Sequence, residues 1–355
     1  MERYFYQVSP EHGAKVVAIG GGTGLSTMLR GLKLYTKNLT AIVTVADDGG
    51  GSGVLRQEMG MPPPGDIRHC MEALANVEPL MGQLLQYRFT DGRLKNQSFG
   101  NLFLAAMNGI SDNFEDAVQK MSSVLAVTGK VLPVTLDDLK LKAELKNGKV
   151  IEGESQIPLK ALEEKSSIKR VMIDPQEAKA LPDALEAILD ADAVIIGPGS
   201  LYTSILPNLL VKDITKALRK TKAIRIYVSN IMTQPGETDG FSVSDHLKAI
   251  YAHTGSGIVD YVVGNVEPLQ QELKERYLKE NSRVVSFDRK ELTKLGVEAI
   301  EAHLVKVRKG LVRHDEDYLS RVLAETIMEK KLLYDRKRIL EYMYLSERVK
   351  NSRVQ

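Results

Sequence analysis

Gly20-Gly21-Gly22-Thr23-Gly24 follows directly on an apolar run, Val16–Ile19. Four glycines in five residues leave the backbone without Cβ atoms where a strand hands over to a helix. An anion can then approach main-chain N–H groups and the positive helix end. The pattern completes neither standard phosphate loop. Counted as G-x-G-x-x-G from Gly20, it has Leu25 at the third glycine, and no Gly-Lys pair followed by Ser or Thr makes a Walker A loop. P-loop hydrolysis is not expected here. Contact with a phosphate-bearing ligand is the expectation, and a tight strand–helix turn is the alternative.

A second apolar run, Ala41–Val45, leads to Asp47-Asp48 and then Gly49-Gly50-Gly51-Ser52-Gly53. An acid at this place in a dinucleotide fold bonds ribose hydroxyls. Two adjacent carboxylates beside a phosphate cradle also suit a divalent cation such as Mg²⁺, which takes oxygen ligands. An Asx-turn would account for one of the two. In Pro62-Pro63-Pro64-Gly65-Asp66-Ile67-Arg68, the prolines stiffen the approach and Asp66 reads as a helix cap. Arg68 either pairs with Asp66 or reaches a phosphate as a fork. Asn101, in Phe99-Gly100-Asn101, caps a helix or offers its amide to a ligand.

A later strand, Ala193–Ile196, runs into Gly197-Pro198-Gly199-Ser200-Leu201-Tyr202-Thr203-Ser204, a second cradle with three hydroxyls and no lysine. Asn230 ends the run Ile224–Val228, and Gln234–Thr238 follows as a polar loop. Ligands of open α/β sheets sit outside the carboxyl ends of the strands, where all these segments are expected to land. Conventional catalytic groupings do not stand out. His12, His69, His246, His253, His303 and His314 show no H-E-x-x-H spacing. His246 and His253 share a helix face about 10 Å apart and read as structural. Cys70 next to His69 does not make a dyad, because adjacent helical residues point apart.

The elements that must position these loops are short β-branched runs alternating with helical patterns. Leu25, Met28, Leu29 and Leu32 recur at the helical period, so a helix is expected from about Leu25 or Ser26. Continuous apolar strands alternating with helices predict an α/β fold with a mainly parallel sheet covered on both faces. The middle departs from this rhythm. Residues 65–127 read as mostly helical, with Asp112 or Asn113 as a cap, and Asn147-Gly148 predicts a hairpin between Leu139–Leu145 and Val150–Ile157.

The 355 residues carry 48 Lys+Arg against 46 Asp+Glu, a balance that gives no electrostatic reason for nucleic-acid binding. Neither a signal-peptide core nor a membrane span is read in the chain. One cysteine excludes an internal disulfide framework and fits a reducing cytoplasm. One nucleotide-binding domain is expected over 14–329, with a sub-boundary near 175, followed by a basic helical tail, 330–355. Leu332, Leu333, Ile339, Leu340 and Met343 would form the tail's apolar stripe. It either docks on the core or a second subunit of a homo-oligomer, or binds a protein partner.

Together, Ala18–Gly24, Ala46–Gly50 with Ser52-Gly53 and Leu55-Arg56, Gly65–Arg68, Phe99–Asn101, Gly197–Ser204, and Asn230 with Gly236–Thr238 resemble the YvcK-type gluconeogenesis factors. That family lies within the wider CofD-like, 2-phospho-L-lactate transferase-like group, and the resemblance covers about residues 15–325. It implies a Rossmann-like, CofD-like fold and a cytoplasmic bacterial protein. It implies binding of UDP-N-acetylglucosamine or a related UDP-sugar, with a role in adapting cell-wall synthesis and cell shape to gluconeogenic growth. No enzymatic activity is implied. The expected ligand contacts are Gly20, Gly21, Gly22, Thr23, Gly24, Ser52, Gly53, Arg68, Asn101, Gly197, Gly199, Ser200, Tyr202, Thr203, Ser204 and Asn230. The transferases of the group move a phospholactyl unit from a guanosine diphosphate carrier to a deazaflavin with a divalent cation, and their metal aspartates would correspond to Asp47, Asp48 and Asp66. The alternatives are such a transferase or an NAD(P)-binding protein.

Overall fold

The computed structural model describes residues 13–333 and 339–352. His12 and the side chains of Ile339 and Leu340 lie outside the described residues.

The strands are β1 (Val16–Gly20), β2 (Leu39–Val43), β3 (Lys130–Pro133), β4 (Lys140–Leu145), β5 (Val150–Glu152) and β6 (Ile168–Asp174). They continue with β7 (Ala193–Ile196), β8 (Ile224–Val228), β9 (Tyr261–Asn265), β10 (Glu298–Ala302), β11 (Val305–Arg308) and β12 (Leu311–His314). Seven of them form one parallel sheet in the order β10-β9-β8-β7-β1-β2-β3. Side chains alternate across a strand, so β1 feeds two cores. Val16 and Ala18 pack into the layer on one face, Val17 and Ile19 into the layer on the other. This is the doubly covered sheet that the continuous apolar runs predict.

Several boundaries differ from the sequence reading. Helix α1 (Gly22–Leu32) begins inside the first glycine run, three residues before Leu25. The second glycine run is not a loop: α2 (Gly50–Met59) starts at Gly50. Burial against neighbouring backbone outweighs glycine's poor helix propensity, since a Cβ on Gly53 would collide with the carbonyl of Asp48. Asp66 sits in the first turn of α3 (Gly65–Leu74) rather than at its cap, which is Pro64. After α4 (Pro79–Gln86), α5 (Phe99–Gly109) is capped by Ser98, whose side chain accepts from the Asn101 N–H. Asn113 caps the helix Phe114–Val124 as expected.

The middle elaboration is a three-stranded antiparallel sheet, β5-β4-β6, with the predicted hairpin turning at Gly148 (φ +87°). The tail helix, Ile339–Ser352, docks on the body, with Tyr344, Leu345 and Val349 buried. Leu332 is buried too, whereas Leu333 and Met343 are exposed, so the expected stripe is split between core and surface.

Candidate functional site

From β1 the sheet grows through β2 and β3 on one side, and the chain returns to β1's other side as β7. Ligands of such sheets bind outside the strand ends at this reversal. The two crossover loops meet there. A Cβ on Gly24 would lie 2.6 Å from the Pro198 carbonyl oxygen, and one on Gly199 would lie 3.1 Å from that of Gly21. Asn208 ties the loops from below, its Nδ2 donating to the carbonyls of Gly20 (3.0 Å) and Ser204 (2.8 Å).

A cleft of about 540 Å³ opens above this junction. Gly21, Gly22, Thr23, Gly24 and Thr27 form one wall, and Gly199, Ser200, Thr203 and Ser204 form the other. Asn230 through Pro235 close one end. The first-turn N–H groups of α1 have no acceptor within the helix, and Gly22 donates its own to the Asp66 carboxyl. Ser200 caps the π-helical turn Leu201–Ile205 by accepting from the Thr203 N–H at 3.2 Å.

The remaining expected contacts stand behind the cleft. Gly20 ends β1, Gly197 directly follows β7, and Tyr202 is buried against Phe241 and His253. Arg68 does not reach the cleft. It pairs with Glu72, and its Nε donates to Asn101 Oδ1 at 2.7 Å. Asn101 Nδ2 lies 3.4 Å from Ser52 Oγ, and Ser52 donates to Asp47. Ser52, Arg68 and Asn101 thus form a buried polar strut that ends on Asp47. Gly53 borders a second cavity of about 540 Å³ under Pro62 and Pro63. His246 and His253 are structural. His246 Nδ1 contacts the Ser242 carbonyl at 2.8 Å, and His253 Nε2 accepts from the Val171 N–H at 2.9 Å.

The acids of the cleft, Glu154, Glu237 and Glu280, are what the sequence reading missed. Glu237 is buried, bonded by the Ser200 hydroxyl and by the Tyr202 N–H. Glu154 arrives from the elaborated sheet, accepts from the Thr203 hydroxyl, and lines the cleft. Burial pushes Glu237 up to about 7. Burial, with Asp47 as the next cause, pushes Asp66 up to about 7 and Glu154 up to about 8. Nothing in the spacing joins Glu154 to residues about fifty positions later; only the docking of β5 and the following turn does. Arg313, exposed at the end of β12, is the permanent cation among the described lining residues, since buried His314 is held down at about 4.

Asp47 and Asp66 interact, but Asp48 is committed elsewhere: its Oδ1 accepts from the Ser155 N–H at 2.9 Å. Among the described residues no group of three or more His, Cys, Asp or Glu side chains is arranged to hold a metal ion. The three aspartates therefore do not fit an all-protein cation cage.

The model of the family described as 2-phospho-L-lactate transferase CofD matches residues 16–305. A relative in Clostridium acetobutylicum is 64% identical over 341 residues, covering 96% of this chain and 76% of its own length. The gluconeogenesis factor of Bacillus subtilis is 47% identical over 316 residues, covering 89% of this chain and 98% of its own. The chain belongs to the CofD-like family of gluconeogenesis factors. Within this family, the crystal structure of a UPF0052 member from Bacillus halodurans superposes with a TM-score of 0.83 at 47% identity, covering 86% of this chain and 98% of that one. The fold expected from the resemblance is thus the one observed. None of the described helices is long and apolar enough to cross a membrane.

Proposed function

We propose that the chain is a regulatory protein that binds a nucleotide-activated sugar of the UDP-N-acetylglucosamine type. In this reading it adapts cell-wall synthesis and cell shape to gluconeogenic growth in the bacterial cytoplasm. The observation that carries the reading is the meeting of the β1 and β7 loops around one cleft at the sheet's reversal point. A diphosphate there is received by main-chain N–H groups of the β1 loop with the first turn of α1, by those of the Gly199-Ser200 loop, and by the Ser204 hydroxyl, the Ser200 and Thr203 hydroxyls being already given to Glu237 and Glu154. Arg313 supplies the compensating positive charge. Asn230 and Gln234 offer amides at the end of the cleft where a base edge would be read.

Isothermal titration with UDP-N-acetylglucosamine, run beside GDP and NAD, tests this reading. Saturable heat for the UDP-sugar supports it. Ligand at a hundred times its dissociation constant would also stabilise the fold by about 2.7 kcal/mol. No heat and no thermal shift at millimolar UDP-sugar would refute it.

A second reading is a phospholactyl transferase. It is favoured by the description of the matching family and by the adjacency of Asp47 and Asp66. A divalent cation would there have to complete its shell from ligand oxygens and water. Product formation from a guanosine diphosphate-linked donor and a deazaflavin acceptor is its test.

A further inference from the structure

Helix α5 is apolar on two sides. Gly100, Asn101, Leu104 and Ala105 face the body and are buried. Phe99, Phe103, Met107 and Ile110 lie at i, i+4, i+8 and i+11, one stripe on the opposite side. The first three are half-buried, and Ile110 is 72% exposed. In α4 only Leu85 is buried, whereas Leu80, Leu84 and Tyr87, just past its end, are 76%, 40% and 50% exposed. Residues 79–87 and 99–111 contain no charged side chain, in a chain where 26% of residues are charged. A surface helix normally turns a charged face outward, and a contiguous exposed apolar face marks an interaction site.

The two helices form a hairpin. At its base the Phe89 N–H donates to the Gln97 carbonyl at 2.9 Å and the Phe99 N–H to the Tyr87 carbonyl at 2.8 Å. A Cβ on Gly100 would lie 2.8 Å from the Leu85 carbonyl oxygen, so α4 and α5 are in close contact there. Charge is kept to the two ends. The connection at the base holds Arg88, Asp91, Arg93 and Lys95, all exposed. Exposed Glu78 precedes α4 and exposed Asp112 follows α5. The next helix opens with Glu115 and Asp116, the latter paired with Lys120. The base is net positive and the far end net negative.

We propose that this hairpin is the interface of a two-fold homodimer, the α4–α5 face of one copy packing antiparallel on the same face of a second. A two-fold axis lays a patch on itself, residue i against j and j against i. Charges in the middle of such a patch would meet their own sign, and here there are none. In the antiparallel arrangement the basic base of each hairpin meets the acidic end of the other. An unlike protein partner would not require the two ends to be opposite in sign. A lipid surface is a poorer occupant, because interfacial membrane helices carry Lys and Arg along their polar face, and α4 and α5 carry neither.

Sedimentation velocity on the full chain, from micromolar to near-millimolar concentration, tests the proposal. The parent should pass from monomer toward dimer. Leu80→Asp and Ile110→Asp should each weaken association roughly tenfold or more, as loss of an interface anchor does. Their melting temperatures should stay close to the monomeric parent's, since neither side chain is buried. Glu78→Lys and Arg88→Glu each set like charges against one another across the axis, so each variant alone should associate more weakly than the parent. Mixed in equal amounts they should form the mixed dimer preferentially, because both end contacts then join opposite signs again, and native mass spectrometry counts the three species. A parent that stays monomeric throughout, Leu80 and Ile110 variants that associate as tightly as the parent, or a mixture without preference for the mixed dimer would overturn the proposal.

Discussion

A Cβ placed on Gly21 would lie 2.5 Å from Oδ2 of Asp66. The glycine is therefore required for space and not for backbone freedom, since its φ of −174° is ordinary extended chain. The same Cβ would meet Thr44 Cγ2 at 2.7 Å, so the β1 turn is packed between the ends of two other elements. The Gly21→Ala variant should lose about 1–3 kcal/mol of stability, the usual cost of overpacking. Gly22→Ala, open above the cleft but at φ +68°, should lose a smaller amount, through backbone strain alone. Thermal melts of the two variants beside the parent check the order.

The acids of the cleft set a pH dependence of stability. Asp66, Glu154 and Glu237 hold their protons to about 7, about 8 and about 7 in the folded chain, against ordinary values of 3.8, 4.5 and 4.5. The folded state therefore binds more protons than the unfolded one above those ordinary values, and stability falls as pH rises through 7 to 8. Buried His69 and His314, both lowered from 6.5 to about 4, push the other way, but only below about 6.5. Urea midpoints should thus drop between pH 6.5 and pH 8.5, and the drop should shrink in Glu154→Gln. A midpoint that rises over that interval contradicts the buried-acid account.

Arg68 and Glu72 form a buried ion pair whose side chains are 4% and 8% exposed. Glu72→Ala leaves the guanidinium without its carboxylate and should cost roughly 3–5 kcal/mol. Because the same guanidinium holds Asn101, the damage should spread along the strut toward Asp47. Chemical denaturation of the variant gives the number.

Arg313 is exposed, and its Nη1 donates to its own neighbour, the Val312 carbonyl, at 2.9 Å. Arg313→Ala should leave the melting temperature within about 1 °C while weakening a diphosphate ligand roughly tenfold or more, as loss of a charge-assisted hydrogen bond predicts. Titration at two salt concentrations checks it. The parent's affinity should fall with salt more steeply than the variant's.

The parallel sheet was legible because β1, β2, β7 and β8 fall on short runs rich in apolar and β-branched residues, interrupted only by Thr40 in β2 and Arg225 in β8, as burial on both faces demands. The edge strands were not. Lys130–Pro133 and Glu298–Ala302 carry polar residues at positions that face solvent, so they lack the apolar signature. The glycine loops of β1 and β7 were visible as local composition, and their meeting follows from the reversal of strand order. The second glycine run misled, because glycines that serve close packing within α2 look the same in sequence as glycines that free a loop. Arg68 was expected either to pair with Asp66 or to reach a phosphate; only the fold shows Glu72, one turn along α3, claiming it. Glu154 left no local mark, since its partners Thr203 and Glu237 become neighbours only when the inserted sheet docks.

The most direct measurement of the central claim is a crystal structure of the chain grown with UDP-N-acetylglucosamine. The account predicts both phosphates at the β1/β7 junction, within hydrogen-bonding distance of first-turn amides of α1 or of the Gly199-Ser200 loop. Phosphates seated instead in the second cavity, beside Arg56 and Lys140, would contradict it.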